Sequence, residues 1–160
     1  MDDVLRDAHR RVLMWSRSVI NQVERLRDGR AAALASAAKV KAERFYGHED
    51  AWAFYALEAD KHFAMTAARQ LLRALQTFDG KDRLPDGLSP SDLRTVRDAL
   101  EHWDEADGRA NRQMRNLGAD PASHQWRSSG PGVIAGMIDD TLLVEWATSV
   151  YAEVVAWDPW

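Results

Sequence analysis

From Val4 onward, the apolar positions Val4, Ala8, Val12, Trp15, Val19, Val23 and Leu26 recur at steps of four and three, the spacing of one helical face. A first helix is predicted there. Arg25, Arg27 and Arg30 surround Gly29, and cations near a helix C-terminus suit the helix dipole. Residues 31–46 are alanine-rich and again helical, either continuing the first helix through a weak point at Gly29 or beginning a second. The run Gly47-His48-Glu49-Asp50 interrupts the pattern, with Asp50 as a plausible N-cap for the next helix. Residues 51–78 then form the longest predicted helix. It carries Trp52, Ala56, Ala59 and Phe63 on one side and Leu57, Ala64, Ala68, Leu71, Leu75 and Phe78 on another. Two apolar stripes predict burial between neighbours, and the alanines predict close helix approach.

Gly80 ends that segment, and residues 81–88 are turn-rich, with Pro85 and Gly87. Ser89-Pro90-Ser91-Asp92 reads as a helix start, with Ser89 as N-cap, Pro90 at the first helical position and Asp92 near the exposed amides. This helix is expected to end around Gly108, with a weaker helical stretch running on to Asn116. Residues 118–136 are rich in glycine and proline and hold two short candidate strands, 124–127 and 133–135, read as a small hairpin. Asp139-Asp140-Thr141 opens a last helix with Leu142, Leu143, Trp146, Val150, Val154 and Trp157 facing inward. The expected fold is an all-α bundle of four to five helices with a short β-hairpin before the C-terminal helix.

With 160 residues and no segment resembling an interdomain linker, the chain is expected to form one domain over residues 1–160. The formal net charge of -4 argues against a protein that coats nucleic acid through bulk charge, while leaving local basic patches open. There is no cysteine, which removes disulfides, thiolate metal sites and a cysteine nucleophile. The acidic start Met1-Asp2-Asp3 has no signal-peptide pattern and no stretch is apolar enough to span a bilayer, so a cytoplasmic location without membrane association is expected.

Chemistry concentrates in residues 96–105, where Arg97, Asp98 and His102 fall within two turns of the helix that begins at Ser89-Pro90. Residues four apart share a helical face, so Asp98 lies one turn below His102 and Arg97 one turn below Glu101. Asp98 is suited to orient the imidazole. A guanidinium beside a group that titrates near neutrality suits phosphate-ester chemistry, with histidine moving protons and arginine stabilising a phosphorane. The same residues also describe an ordinary salt-bridged helix surface, and roughly one Arg–His pair at a separation of about five to seven residues is expected by chance in such a composition. Arg94, Arg109 and Arg112 are candidate contacts for substrate phosphates. Arg109, Arg112 and Arg115 recur every three residues, which fits either a phosphate track or a solvated helix face.

Arg97-Asp98-x-x-x-His102 resembles the R-x(4-6)-H signature of HEPN domains, all-helical domains found in many bacterial ribonuclease toxins and antiviral defence proteins. The wider phrase Leu93-Arg94-Thr95-Val96-Arg97-Asp98-Ala99-Leu100-Glu101-His102-Trp103-Asp104-Glu105 is similar to an "LRxxRNxxEHFDE" pattern of actinobacterial helical proteins near that group. The preceding Leu71-Leu72-Arg73-Ala74-Leu75 and the loop with Leu84-Pro85 follow in a similar order, so the resemblance covers residues 52–108. It implies a homodimer with both motifs at the interface and metal-independent RNA cleavage. Arg97 and His102 would be the essential pair, with Asp98 at the polar position. It also implies a setting with RNA as substrate and a cognate antitoxin or regulatory protein as partner, and no cofactor. Glu101 places an additional negative charge beside the histidine and the chain is acidic overall, both of which suit a HEPN-like scaffold without nuclease activity. The alternative is therefore a non-catalytic bundle that serves dimerisation or partner binding.

The remaining candidates are scattered. His48, His62 and His102 can be drawn as a three-histidine metal site, but no di-iron pattern of repeated glutamate and histidine pairs is present, and no metal is expected. Trp15, Trp52, Trp146 and Trp157, among seven tryptophans, are read as core packing rather than ligand stacking. The aromatic C-terminus, through Trp157 and Trp160, docks either on a partner subunit or on its own bundle.

Overall fold

The computed structural model describes residues 3–43, 47–102, 108–116 and 132–157. Five helices, α1 (Asp3–Glu43), α2 (His48–Phe78), α3 (Pro90–Glu101), α4 (Arg109–Asn116) and α5 (Asp140–Ala156), enclose one core. A two-stranded antiparallel hairpin, β1 (Val133–Ile134) and β2 (Ile138–Asp139), precedes α5. The all-α bundle expected from periodicity is what forms. Among the described residues, no helix is long and apolar enough to cross a membrane.

The longest helix is α1, not α2, because the chain continues through Gly29 without a break. A glycine inside a helix costs about 1 kcal/mol relative to alanine, and tertiary contacts outweigh that here. Gly29 packs against Leu57 and Asp60 of α2. The three arginines around it do not serve the dipole at a helix end. Arg25 pairs with Asp60 at 3.0 Å, while Arg27 (2.7 Å) and Arg30 both pair with the buried Asp140 of α5. Arg30 also donates from Nη2 to the Val133 carbonyl at 2.9 Å, joining α1 to the hairpin.

The helix α2 starts at His48, one turn earlier in effect than an Asp50 cap would allow, with the Ala51 amide donating to the Gly47 carbonyl at 3.3 Å. Asp50 therefore lies inside the first turn. Of the two apolar stripes, Leu57, Ala64, Ala68, Leu71 and Leu75 are buried, whereas Trp52 and Phe63 are exposed. The reason is the reach of the other helices. The contacts His9–Val154 and Arg27–Asp140 run α5 antiparallel along α1 from residue 9 to residue 27. Past Arg30, among the described residues, α1 and α2 have mainly each other, and Ala33 is the last buried residue of α1.

Ser89 caps α3 as its sequence requires, accepting the Asp92 amide at 3.1 Å with Pro90 in the first turn. Gly80 and Gly87 take positive φ in the intervening turn, and Trp146 holds that loop by donating from Nε1 to the Asp82 carbonyl at 3.0 Å. The helix stops at Glu101, short of the expected end at Gly108, with His102 as its C-cap. In the hairpin, Val133 pairs with Asp139 and Ile134 with Ile138. Ala135 and Gly136 both have positive φ, and the Met137 amide donates to the Ile134 carbonyl at 3.1 Å, so the first strand turns before Ala135. The candidate strand at 124–127 lies outside the described residues.

Asp139 caps α5 by accepting the amides of Thr141 and Leu142. Leu143, Trp146, Val150 and Val154 face the core and Leu142 is half-buried. Trp157 does not enter the core; its ring sits edge-on to Phe78 at 5.1 Å and beside His9 at 5.5 Å, on its own bundle.

Candidate functional site

The buried residues of α3 are Leu93, Thr95, Val96, Ala99 and Leu100. This pattern turns Arg94, Arg97, Asp98 and Glu101 away from the core. Arg97 is half-buried and lies between two carboxylates. Its Nε donates to Asp98 Oδ1 at 2.9 Å, and its Nη2 contacts Asp98 and, at 3.1 Å, Glu101 Oε2. The four-residue spacing of Arg97 and Glu101 thus yields the pair it predicts. Asp98 gives its carboxylate to Arg97, and its main-chain carbonyl accepts the His102 amide at 3.0 Å. His102 stands exposed at the point where the helix ends.

Two clefts of similar size flank α3. The first, about 380 Å³ and facing α4, is lined by Arg94, Thr95, Asp98 and His102 from the motif side and by Arg109 and the buried Asn111 from α4. The second, about 390 Å³ and facing α2, is lined by Arg69, Arg73, Arg94, Arg97 and Asp98 together with Thr66 and Gln70. Arg94 and Asp98 form the ridge between them. The structure therefore brings Arg94, Asp98, His102 and Arg109 into one cleft and sets Arg97 in the other. Arg112 is exposed on α4 and lines neither cleft.

Arg69 and Arg73 escape a reading that follows the motif. They stand four residues apart on the side of α2 that its buried leucines leave out. That spacing signals a shared face, but only packing against α3 places them beside Arg94 and Arg97. Burial pushes the Arg69 guanidinium below the ordinary arginine value, and the charges of Arg94, Arg97 and Arg73 push the same way, while Asp98 opposes them. Arginine keeps its proton under such conditions. The cluster is thus a concentration of positive charge that an anion would relieve, on a chain whose net charge is negative.

Among the described residues, no group of three or more histidine, aspartate or glutamate side chains is placed to hold a metal ion. The three-histidine site does not assemble, since His48 and His62 lie about four turns apart on α2. The tryptophans divide: Trp146 is buried, Trp15 is partly buried against the core, and Trp52 and Trp157 are exposed. No protein-family model matches the chain, and no match is found among curated proteins or among solved structures.

Proposed function

We propose that this protein is a HEPN-like, metal-independent endoribonuclease whose RNA-binding face is formed by α2, α3 and α4. The observation that supports this most strongly is the convergence of Arg69, Arg73 and Arg94 on Arg97, with His102 in the adjoining cleft across the ridge of Arg94 and Asp98. Four guanidiniums within one cleft suit a phosphodiester backbone. In the reaction, the 2'-oxygen attacks the adjacent phosphorus as its proton leaves to a base. The bond to the 5'-oxygen breaks as an acid protonates it, leaving a cyclic phosphate and a free 5'-hydroxyl. His102, exposed beside Arg94 and Arg109, is the proton-transfer group of this reading. Arg97 stabilises the phosphorane, its guanidinium held in orientation by Asp98 and Glu101. One chain provides one such histidine in the motif, so a homodimer about a two-fold axis supplies both acid and base. A toxin or defence role in the cytoplasm, with a cognate antitoxin or regulatory partner, belongs to the same proposal.

A second reading, a non-catalytic helical partner-binding module, is favoured by the double carboxylate contact that neutralises Arg97. Incubation of purified protein with cellular RNA in EDTA separates the two. Ribonuclease action predicts cleavage that His102→Ala and Arg97→Ala both abolish while circular dichroism keeps its helical signature. Intact RNA, or cleavage indifferent to both substitutions, assigns the chain to the second reading.

A further inference from the structure

The exposed apolar stripe of α2 and the arginine cluster belong to one face. Trp52, Tyr55, Ala56, Ala59 and Phe63 recur at three- and four-residue steps, and the same stripe continues through Thr66 and Gln70 to Arg73. Arg69 flanks it on the side of α3. Trp52, Tyr55 and Phe63 are 69%, 66% and 53% exposed, and the rings of Trp52 and Tyr55 meet edge-on at 6.1 Å. From Trp52 to Arg73 the face extends about 30 Å along the helix axis. The carboxylates of this stretch of α2 do not oppose an anion freely: Glu58 is paired with the buried Lys61 at 2.7 Å, and Asp60 with Arg25 at 3.0 Å.

From this juxtaposition we infer that α2 is a stacking platform for single-stranded RNA, whose bases lie on Trp52, Tyr55 and Phe63 while its phosphates run into the Arg69, Arg73, Arg94 and Arg97 cluster. The inference rests on the ribonuclease reading for the identity of the strand. Aromatic faces in line with a cationic groove are how single strands are held without base readout, because every base has a π-face and every nucleotide a phosphate. An apolar partner would cover the rings but bring no anion to Arg69, Arg73 and Arg94 at the far end of the same face, where Asp98 and Glu101 are engaged by Arg97. A duplex hides its base faces in its own stack, so the platform selects unpaired RNA and delivers it toward the motif.

The test uses the full chain and a fluorescein-labelled 2'-O-methyl oligonucleotide of about a dozen residues, alone and annealed to its complement. The methyl group blocks the attacking oxygen, so binding is read independently of cleavage. Fluorescence anisotropy is expected to show tighter binding of the single strand than of the duplex. Trp52→Ala and Phe63→Ala are each expected to weaken the single strand by about 5- to 150-fold, the range of losing one stacked base. Both residues are largely exposed, so helicity is retained. An Arg69→Met, Arg73→Met double variant should weaken binding and flatten its salt dependence. Single-strand affinity unchanged by the aromatic substitutions, or no preference over duplex, overturns the inference even if RNA is cleaved. So does a wild-type dimer that the aromatic substitutions convert to monomer without altering oligonucleotide affinity, since the face would then belong to a second copy. A bound but uncleaved natural RNA would instead remove the nuclease reading and leave the platform standing.

Discussion

Replacing Asp140 with asparagine keeps the side chain's shape and removes its charge where ion pairs join α1 to α5 and Arg30 reaches the hairpin. Asp140 is 1% exposed, and its partners Arg30 and Arg27 are 12% and 44% exposed. Removing one member of a fully buried pair costs about 3–5 kcal/mol, chiefly because the other charge stays buried. Arg27 is close to half in water and returns there at little cost, whereas Arg30 is left with its hydrogen bond to the Val133 carbonyl. The expected loss is therefore about 2–4 kcal/mol. For a chain of this size it corresponds to a fall in Tm of roughly 5–15 °C. Urea denaturation followed by circular dichroism, repeated for Arg30→Met and for the double variant, measures both the loss and the coupling. Arg30→Met and Asp140→Asn are expected to be strongly non-additive, and Arg27→Met to be the mildest of the single changes. A loss below about 0.5 kcal/mol for Asp140→Asn, the scale of an ordinary surface substitution, would refute a stabilising role for the buried charge.

Two further outcomes test local features of the fold. Ser89→Ala removes the acceptor for the Asp92 amide and is expected to cost about 1 kcal/mol in urea unfolding; an unchanged midpoint would show that water replaces the cap without loss. Burial raises the Glu58 carboxyl above its ordinary 4.5, with the hydrogen bond and charge of Lys61 opposing the shift. Its NMR titration midpoint is expected above that value. Since the folded pKa is the higher one, the contribution of Glu58 to stability is full below the unfolded pKa and is lost as pH rises through the folded pKa. A midpoint at or below 4.5 would contradict the burial of this carboxyl.

The sequence carried the locally encoded parts of the site. Ser89 followed by Pro90 starts α3 wherever the bundle ends up, because the cap satisfies amides within three residues and proline needs no partner for its missing N–H. Asp139 starts α5 by the same means, and the four-residue spacing of Arg97 and Glu101 makes their pair a property of the helix. The inward line Leu143, Trp146, Val150 and Val154 was equally legible. Tertiary structure decided what depends on the length and placement of other elements. Gly29 leaves continuation and a break equally open until Leu57 and Asp60 pack beside it. Both stripes of α2 look like core, yet α5 turns in at the level of Arg27 and Arg30, and the stripe of Trp52 and Phe63 finds no helix among the described residues to cover it. Periodicity reports that a face is apolar but not whether a neighbour reaches it. Likewise, the motif placed Asp98 a turn below His102 and Arg97 a turn below Glu101, with Arg97 and His102 about 140° apart around the helix. Only the packing of α3 between α2 and α4 made those two sides into separate clefts and brought Arg69 and Arg73, more than twenty residues earlier in the chain, to the side of Arg97. Caps and periodicity act over one or two turns, whereas the charge that gathers at a site depends on which helices fold against one another.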